Sequence, residues 1–232
     1  MFTFMGYSLQ IEIITILIVM AMVFAFLFAV NRAIKKADPL AKPKGLLLIG
    51  LIYYKMMTNF VTGNMGKKAT KHYAPYIAAI AMFMFISNIL GLIALPSPTA
   101  NFSVTLTLAL ITWILIQSTK IRVNGIKGYL HGFIEPFPPF IIMNVFGLIA
   151  PLISMSLRLF GNITSGSVLM MLFYTFTQWL STTLLRLEFL NVFGILIAPF
   201  LHAYFDVFAG FIQTYIFISL TTIFIGIEMP QD

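Results

Sequence analysis

Apolar residues fill most of the chain in long runs, and polar residues collect in short segments between those runs. A helix needs about 20 apolar residues to cross a bilayer. Runs near that length or longer predict membrane helices at residues 9–30, 73–95, 103–118, 135–181 and 189–228. Only loops separate the runs, so the pattern predicts one integral membrane domain over residues 1–232.

Residues 31–72 are predicted to form a cytoplasmic loop that contains an interfacial helix. Part of this segment, residues 45–62, is moderately apolar but is interrupted by Lys55 and Asn59. That pattern suits an amphipathic helix lying in the membrane interface better than a helix crossing the bilayer. The predicted fold class is therefore an all-α membrane protein with about five membrane helices and one interfacial amphipathic helix.

All but two of the Lys and Arg residues fall into three clusters, at residues 31–45, 55–71 and 120–127, and the loop at residues 96–101 has no Lys or Arg. Cytoplasmic loops of membrane proteins carry an excess of Lys and Arg. The three clusters are therefore predicted to be cytoplasmic, and the loop at 96–101 and the N-terminus external.

Composition excludes several classes of protein. With 60% apolar and 9% charged residues and a mean hydropathy of +0.98, the chain has too few charges to cover a soluble domain. The net charge of +7 is explained by the cytoplasmic clusters, so no nucleic-acid partner is expected. Cysteine is absent, which excludes a disulfide framework and a thiol nucleophile. We expect no metal site and no cofactor.

The two long runs near the C-terminus allow two arrangements. A helix of about forty residues is roughly 60 Å long, twice the ~30 Å of membrane hydrocarbon. Pro151 and Pro199 could divide each run into two shorter spans. Alternatively, each run is one long, steeply tilted helix, and the pattern of residues does not choose between the two.

Arg158 and Asp206 are charged residues within these long runs. Arginine stays protonated under ordinary conditions, so at mid-membrane it needs an anionic partner or water. A static ion pair between Arg158 and Asp206 is one interpretation, and a charge that serves transport is the other.

Residue counting suggests how deep the other polar side chains lie. Counting from the polar turn between the two long runs places Ser167 at the depth of Asp206. The same count places Gln213 close to Asn162 and Arg158. The sequence therefore predicts a polar path that runs inward from one membrane surface and ends at the cation.

Helical spacing supports this path. His202, Asp206 and Gln213 are at i, i+4 and i+11, which is one face of an α-helix. The alternatives are that His202 lies in the interface and that Asn162 and Gln213 only form hydrogen bonds between packed helices.

Several segments resemble subunit a of the F-type ATP synthase. Residues 156–162, Ser-Leu-Arg-Leu-Phe-Gly-Asn, look like the signature of that family, and residues 212–217, Ile-Gln-Thr-Tyr-Ile-Phe, are similar to its last helix. Residues 88–92 and 98–101 resemble its third and fourth helical segments. The resemblance covers residues 42–226, most of the chain.

The resemblance implies a function and a set of roles. The chain would be the ion-translocating stator subunit of a rotary motor, with no bond chemistry of its own, and its last two helices would be tilted against a ring of c subunits. Arg158 would be the essential charge between two offset half-channels. The ion pathway would include Asn162, Ser167, His202, Asp206 and Gln213, and Asn144 would lie in the inner half-channel.

Four positions depart from the commonest bacterial pattern of the family. Ser167 stands where many bacterial members have Glu, and Asp206 where some have His. Asn101 replaces a frequent Asp, and Asn144 stands where Glu is common. On this resemblance the outer half-channel would rely on Asp206 as its carboxylate.

The resemblance also implies partners and a location. The partners would be the c-subunit ring, the b subunits of the peripheral stalk and membrane lipid, all within the F1Fo complex. The expected location is a bacterial plasma membrane, with a mitochondrial inner membrane as the alternative. Whether the ion is a proton or sodium depends on the c subunit, which is another chain.

Two other functions compete with this interpretation. In a secondary anion transporter, Arg158 would bind the substrate, and paired repeats or discontinuous helices would surround a midplane site. In a structural subunit, Arg158 and Asp206 would clasp two helices, which leaves the other polar residues unexplained.

Overall fold

A computed structural model describes residues 2–4, 7–9, 11–38, 42–93, 95–135, 137–186 and 189–229. Strands β1 (Phe2–Phe4) and β2 (Tyr7–Leu9) pair antiparallel ahead of the helices. The helices are α1 (Ile11–Lys36), α2 (Leu46–Ile89), α3 (Phe102–His131), α4 (Ile141–Leu185), α5 (Val192–His202) and α6 (Ala209–Ile227). A π-helical turn, Ala203–Phe208, joins α5 to α6, and short 3₁₀ turns lie at Leu90–Ile93, Pro98–Ala100 and Pro138–Phe140.

Five helical segments of the described chain are long and apolar enough to cross a membrane. They are Glu12–Lys36, Leu46–Ile93, Phe102–His131, Pro138–Leu185 and Val192–Ile227. The all-α class of membrane protein predicted from the hydrophobic runs is therefore confirmed.

Helix α2 is divided at Gly66, whose φ of 78° and ψ of 168° are not helical. Glycine adopts a positive φ at little steric cost, so it permits a sharp change of direction within the helix. Helix resumes directly after Gly66, whereas the sequence predicted that the second membrane helix begins only at residue 73. Lysines at 67, 68 and 71 made this segment look like a loop, but long basic side chains can extend from a helix end to the membrane surface.

Helix α3 extends beyond its predicted end at residue 118 and changes direction at Gly125, where φ is 69° and ψ is 167°. Its basic residues Lys120 and Arg122 lie within the helix rather than in a loop. Polar residues at the end of a membrane helix break the apolar pattern without breaking the backbone hydrogen bonds, so the pattern underestimates the helix length.

Each of the two long C-terminal runs forms one long helical element. Helix α4 continues through Pro151 for 45 residues and ends at Arg186, whose left-handed φ of 55° stops the helix. Helical structure likewise runs without interruption from α5 through the π turn into α6, past Pro199. The arrangement with four shorter spans is therefore not the one adopted, and the steep tilt remains an expectation.

The core lies between α2, α3, α4 and α6, and it combines apolar side chains with threonines. Its fully buried apolar residues include Ile77, Met84, Leu159, Phe217 and Ile225. Buried threonines recur at seven-residue intervals on α3, at positions 105, 112 and 119. The tyrosine hydroxyls at 73 and 76 pair with the Oγ1 atoms of the threonines at 119 and 112, at 2.6 and 2.8 Å. Small polar residues of this kind bring membrane helices close together.

Helices α2 and α6 approach closely at Gly210. A Cβ atom at this position would lie 2.8 Å from the Cβ atom of Asn88. Asn88 is buried, and its Nδ2 donates to the carbonyl oxygen of Gly210 at 3.1 Å. The absence of a side chain at 210 therefore allows this close contact between the two helices.

Replacing Gly210 with alanine is expected to destabilise the protein by about 1–3 kcal/mol, because the added methyl group overpacks the contact with Asn88. The measurement is thermal unfolding in detergent micelles, followed by circular dichroism. Gly63→Ala is the matched control, since a Cβ atom there meets nothing within 4 Å. Both changes improve helix propensity to the same extent. Equal melting temperatures for the two variants would contradict the close approach.

Candidate functional site

Asp206 lies in the π turn and forms a hydrogen-bonded chain with two other side chains. Its Oδ2 is 2.7 Å from Nδ1 of His202, and Nε2 of His202 is 3.0 Å from the hydroxyl of Tyr174 on α4. Gly91 makes room for the carboxylate, because a Cβ atom there would lie 3.1 Å from Asp206 Oδ1. The carboxylate is thus held from α4 through His202 and packed against the end of α2.

A cavity of about 280 Å³, which we call the Asp206 cavity, lies in front of this carboxylate. Polar side chains from α4 and from the π-turn region meet in it: Asn162, Ser167, His202 and Asp206. Pro96, Ser97 and Ala100 form part of its wall. Since that segment belongs to the loop predicted to be external, the cavity is expected to lie toward the external side.

Asn88 closes the base of the Asp206 cavity. Its Nδ2 donates to Gly210 O and, at 3.4 Å, to Thr214 Oγ1, and its Oδ1 accepts from Thr99 Oγ1 at 3.1 Å. Ser97 Oγ is paired with Thr99 Oγ1 at 2.8 Å. Buried polar groups are costly unless they are hydrogen-bonded, so this network fixes the wall of the cavity.

Arg158 is exposed on the surface of α4, and its described polar contact is weak. Nη2 donates to Ser154 Oγ at 3.4 Å, one turn earlier on the same helix. Among the described residues, Arg158 has no carboxylate within 4.0 Å. The guanidinium, together with Ser154, Pro151 and Leu220, lines a second cavity of about 370 Å³, the Arg158 cavity.

A third cavity, of about 300 Å³, lies between the ends of α3, α4 and α6, and we call it the Glu228 cavity. Its polar lining residues are Gln117, Lys120, Tyr129, Asn144 and Glu228. It shares three wall residues with the Arg158 cavity, namely Gly147, Pro151 and Phe224, so the two cavities adjoin. Because Lys120 belongs to a basic cluster predicted to be cytoplasmic, this cavity is expected to lie toward the cytoplasmic side.

Asn144 lines the Glu228 cavity and forms hydrogen bonds with the backbone there. Its Nδ2 donates to the carbonyl oxygens of Phe133 at 2.9 Å, Glu135 at 2.8 Å and Gly132 at 3.4 Å. These bonds tie the turn after α3 to the start of α4. The amide hydrogens of Asn144 are thereby directed at the backbone rather than at the cavity.

Gln213 is buried on α6 and does not line the Asp206 cavity. The helical-face prediction assumed a regular α-helix from His202 to Gln213, but the π turn intervenes. A π turn holds about one more residue than an α turn, so residues beyond it are rotated by roughly 100°. Gln213 therefore does not share the face of His202 that a regular α-helix would give it.

Of the predicted site residues, the structure brings Asn162, Ser167, His202 and Asp206 together around one cavity. It leaves Arg158 outside that cavity, one helical turn before Asn162. The proposed clasp between Arg158 and Asp206 is not formed: the described ion-pair partner of Asp206 is His202.

Sequence reasoning missed several residues of these sites. Tyr174 gave no signal, because an aromatic residue in an apolar run looks like a lipid-facing side chain. Gly91 and Asn88 belong to residues 88–92, which resemble a segment of the family, but the sequence did not predict either of them as a site residue. Lys120 and Glu228 are 108 positions apart, so their ion pair at 3.2 Å could not be found by local spacing. Within the described residues, no three His, Asp or Glu side chains lie close enough to share a metal ion.

The five long apolar helices and the polar cavities between them define a multi-pass membrane protein with ionisable groups inside its helix bundle. Residues 13–226 match a family model described as ATP synthase A chain. The chain belongs to this family, so the family resemblance of residues 156–162 is confirmed.

Curated bacterial relatives agree with the family model. An ATP synthase subunit a from Streptococcus agalactiae serotype Ia is 33% identical over 243 residues, which cover 99% of this chain and 95% of the relative. That of a Sulfurihydrogenibium species is 34% identical, with 92% of each chain covered. The subunit from Aquifex aeolicus is 32% identical over 85% of this chain and 89% of its own length.

Cysteine labelling tests whether the two polar cavities lie toward opposite sides of the membrane. The chain has no cysteine, so each variant carries one thiol in this chain. Ser167→Cys is expected to react with a membrane-impermeant methanethiosulfonate from the external side, and Gln117→Cys from the cytoplasmic side, because the reactive thiolate forms only where water enters. Thr222→Cys, which is fully buried, is the unreactive control. Labelling of both cavity variants from the same side would contradict the assignment.

Proposed function

We propose that this chain is the ion-translocating stator subunit a of a rotary F-type ATP synthase in a bacterial plasma membrane. It would act within the F1Fo complex, beside a ring of c subunits and held by the b subunits of the peripheral stalk. The observation that carries the proposal is the exposed position of Arg158 on an apolar helix, without a carboxylate partner in the described chain.

An unpaired guanidinium at this position needs a counter-charge from another molecule. A charged side chain at the centre of a membrane helix costs roughly 2.5–3.5 kcal/mol on insertion scales. The cost falls if an anionic group of a neighbouring subunit passes in front of it. A carboxylate on each c subunit would meet this requirement, since successive carboxylates replace one another as the ring turns.

The Asp206 cavity would form the outer half-path. An ion enters from the external side, is held by the Asp206 carboxylate and its partner His202, and moves past Ser167 and Asn162 toward the c subunit. The c-subunit carboxylate, once neutralised, can rotate into lipid without the cost of a buried charge. Gln213 remains a candidate contact between this path and the ring.

The Arg158 and Glu228 cavities would form the inner half-path. After nearly a full rotation, a c-subunit carboxylate reaches this side, releases its ion toward the cytoplasm and becomes anionic again. Arg158 then attracts it. Because the guanidinium does not release its proton, it separates the two half-paths and prevents a direct leak.

The rival function of anion transport finds less support. A transporter with its site at the midplane is expected to use helices that are interrupted near the substrate. Helix α4 instead continues through Arg158 without a break, and the two polar cavities lie toward opposite ends of the bundle.

Arg158→Ala is expected to abolish ion-driven ATP synthesis and ATP-driven ion pumping in membrane vesicles, while the complex still assembles. The reason is that, among the described residues, Arg158 makes one weak polar contact, so its removal is expected to affect transfer rather than folding. The Arg158→Lys variant is expected to retain little of these activities, because a lysine that is shielded from water can lose its proton. Assembly lost together with activity would instead indicate a structural role.

Asp206→Asn is expected to slow ion transport strongly, because an amide cannot take up and release the ion. Ser167→Glu places a carboxylate in the same cavity, so the double variant is expected to recover part of the rate. Glu135→Gln, at an exposed carboxylate outside the three cavities, is the matched control. The readout is pumping per assembled complex. A double variant no faster than Asp206→Asn alone would show that the two positions do not serve one path.

A further inference from the structure

We propose that Glu228, which is ion-paired with Lys120, is the ion-accepting carboxylate of the inner half-path. This inference rests on the proposed function and adds to it a residue that takes the ion from the c subunit and passes it to the cytoplasm.

The position of Glu228 is fixed by two elements. It is the residue that ends α6, where its backbone N–H donates to Ile225 O at 3.2 Å. Its Oε1 lies 3.2 Å from Nζ of Lys120 on α3, and the two side chains are 20% and 34% exposed. The carboxylate is therefore held between two helix ends, partly shielded and still in reach of water.

The Glu228 cavity connects this carboxylate to the surroundings of Arg158. Gly147, Pro151 and Phe224 belong to the walls of both cavities, and Phe224 is one helical turn before Glu228 on α6. An ion released beside Arg158 on the inner side would thus meet the Glu228 cavity next.

The remaining polar groups of the cavity are poor ion acceptors. Asn144 directs its amide hydrogens at backbone carbonyls, and Gln117 Oε1 accepts from the hydroxyl of Tyr129 at 3.2 Å. Among the described residues that line the cavity, Glu228 supplies the only carboxylate. A carboxylate can both take up a cation and release it, whereas a neutral amide binds a proton too weakly to relay it.

A structural clasp between α3 and α6 is the competing explanation for the ion pair. An ion pair with one side chain a third exposed contributes little to stability, which argues against a clasp as its main role. The two explanations also differ for Lys120. If the pair is a clasp, removal of either Lys120 or Glu228 should impair assembly. If Glu228 is the ion acceptor, transport needs its carboxylate but not Lys120.

The test compares variants of the whole complex in inverted membrane vesicles, with ATP-driven ion pumping measured per assembled complex. Glu228→Gln is expected to reduce pumping severalfold, and Lys120→Gln to retain most of it. Adding Gln117→Glu to Glu228→Gln is expected to restore pumping. A glutamate at 117 can still accept from Tyr129, and it places a carboxylate in the same cavity one turn from Lys120. Glu135→Gln serves as the control for loss of an exposed carboxylate.

Unchanged pumping in Glu228→Gln would overturn the inference. So would equal losses of assembly in Glu228→Gln and Lys120→Gln with no recovery from Gln117→Glu, since that pattern belongs to a clasp. Arg158→Ala, measured in the same vesicles, keeps the two proposals apart. If Arg158→Ala abolishes pumping while Glu228→Gln does not affect it, only the role of Glu228 fails. If Arg158→Ala pumps normally, the proposed function itself fails.

Discussion

A guanidinium that cannot lose its charge, placed on an apolar helix without a partner in its own described chain, is the constraint on which the rest of the arrangement depends. In hydrocarbon such a charge is tolerated only with a counter-ion or water. The described residues supply a cavity beside Arg158 but no carboxylate within 4.0 Å of it, which fits a counter-charge that comes from a neighbouring molecule. A site that is incomplete within one chain fits a subunit whose function requires a moving partner.

Asp206, the second charged residue, differs from Arg158 because its partners lie within its own chain. It is completed within the chain by His202, by Tyr174 and by the space that Gly91 leaves. The π turn that carries it makes this possible, because its altered register directs Asp206 into a polar cavity while the residues beyond it pack against α2. Arg158 and Asp206 are therefore kept apart, as separate half-paths require and a static clasp does not.

The two long C-terminal elements contribute to all three polar cavities. Helix α4 has 45 residues, and the element from α5 to α6 runs for 36, so each exceeds the length needed to cross hydrocarbon. Asp206 lies in the cavity that Pro96, Ser97 and Ala100 help to wall, and Glu228 lies beside Lys120 of α3. Arg158 is exposed on α4 and lines the cavity that adjoins the Glu228 cavity.

The sequence by itself determined the class of protein, the number of membrane helices, the family and most of the outer cavity. Long apolar runs and charge clusters are properties of consecutive residues, and so is the Arg158 motif. Tertiary structure decided the features that depend on local backbone geometry or on contacts between residues far apart in the sequence. The turn at Gly66 depends on one φ angle, and the π turn shifts Gln213 away from the face of His202. The pairing of Lys120 with Glu228 depends on how two distant helix ends pack together.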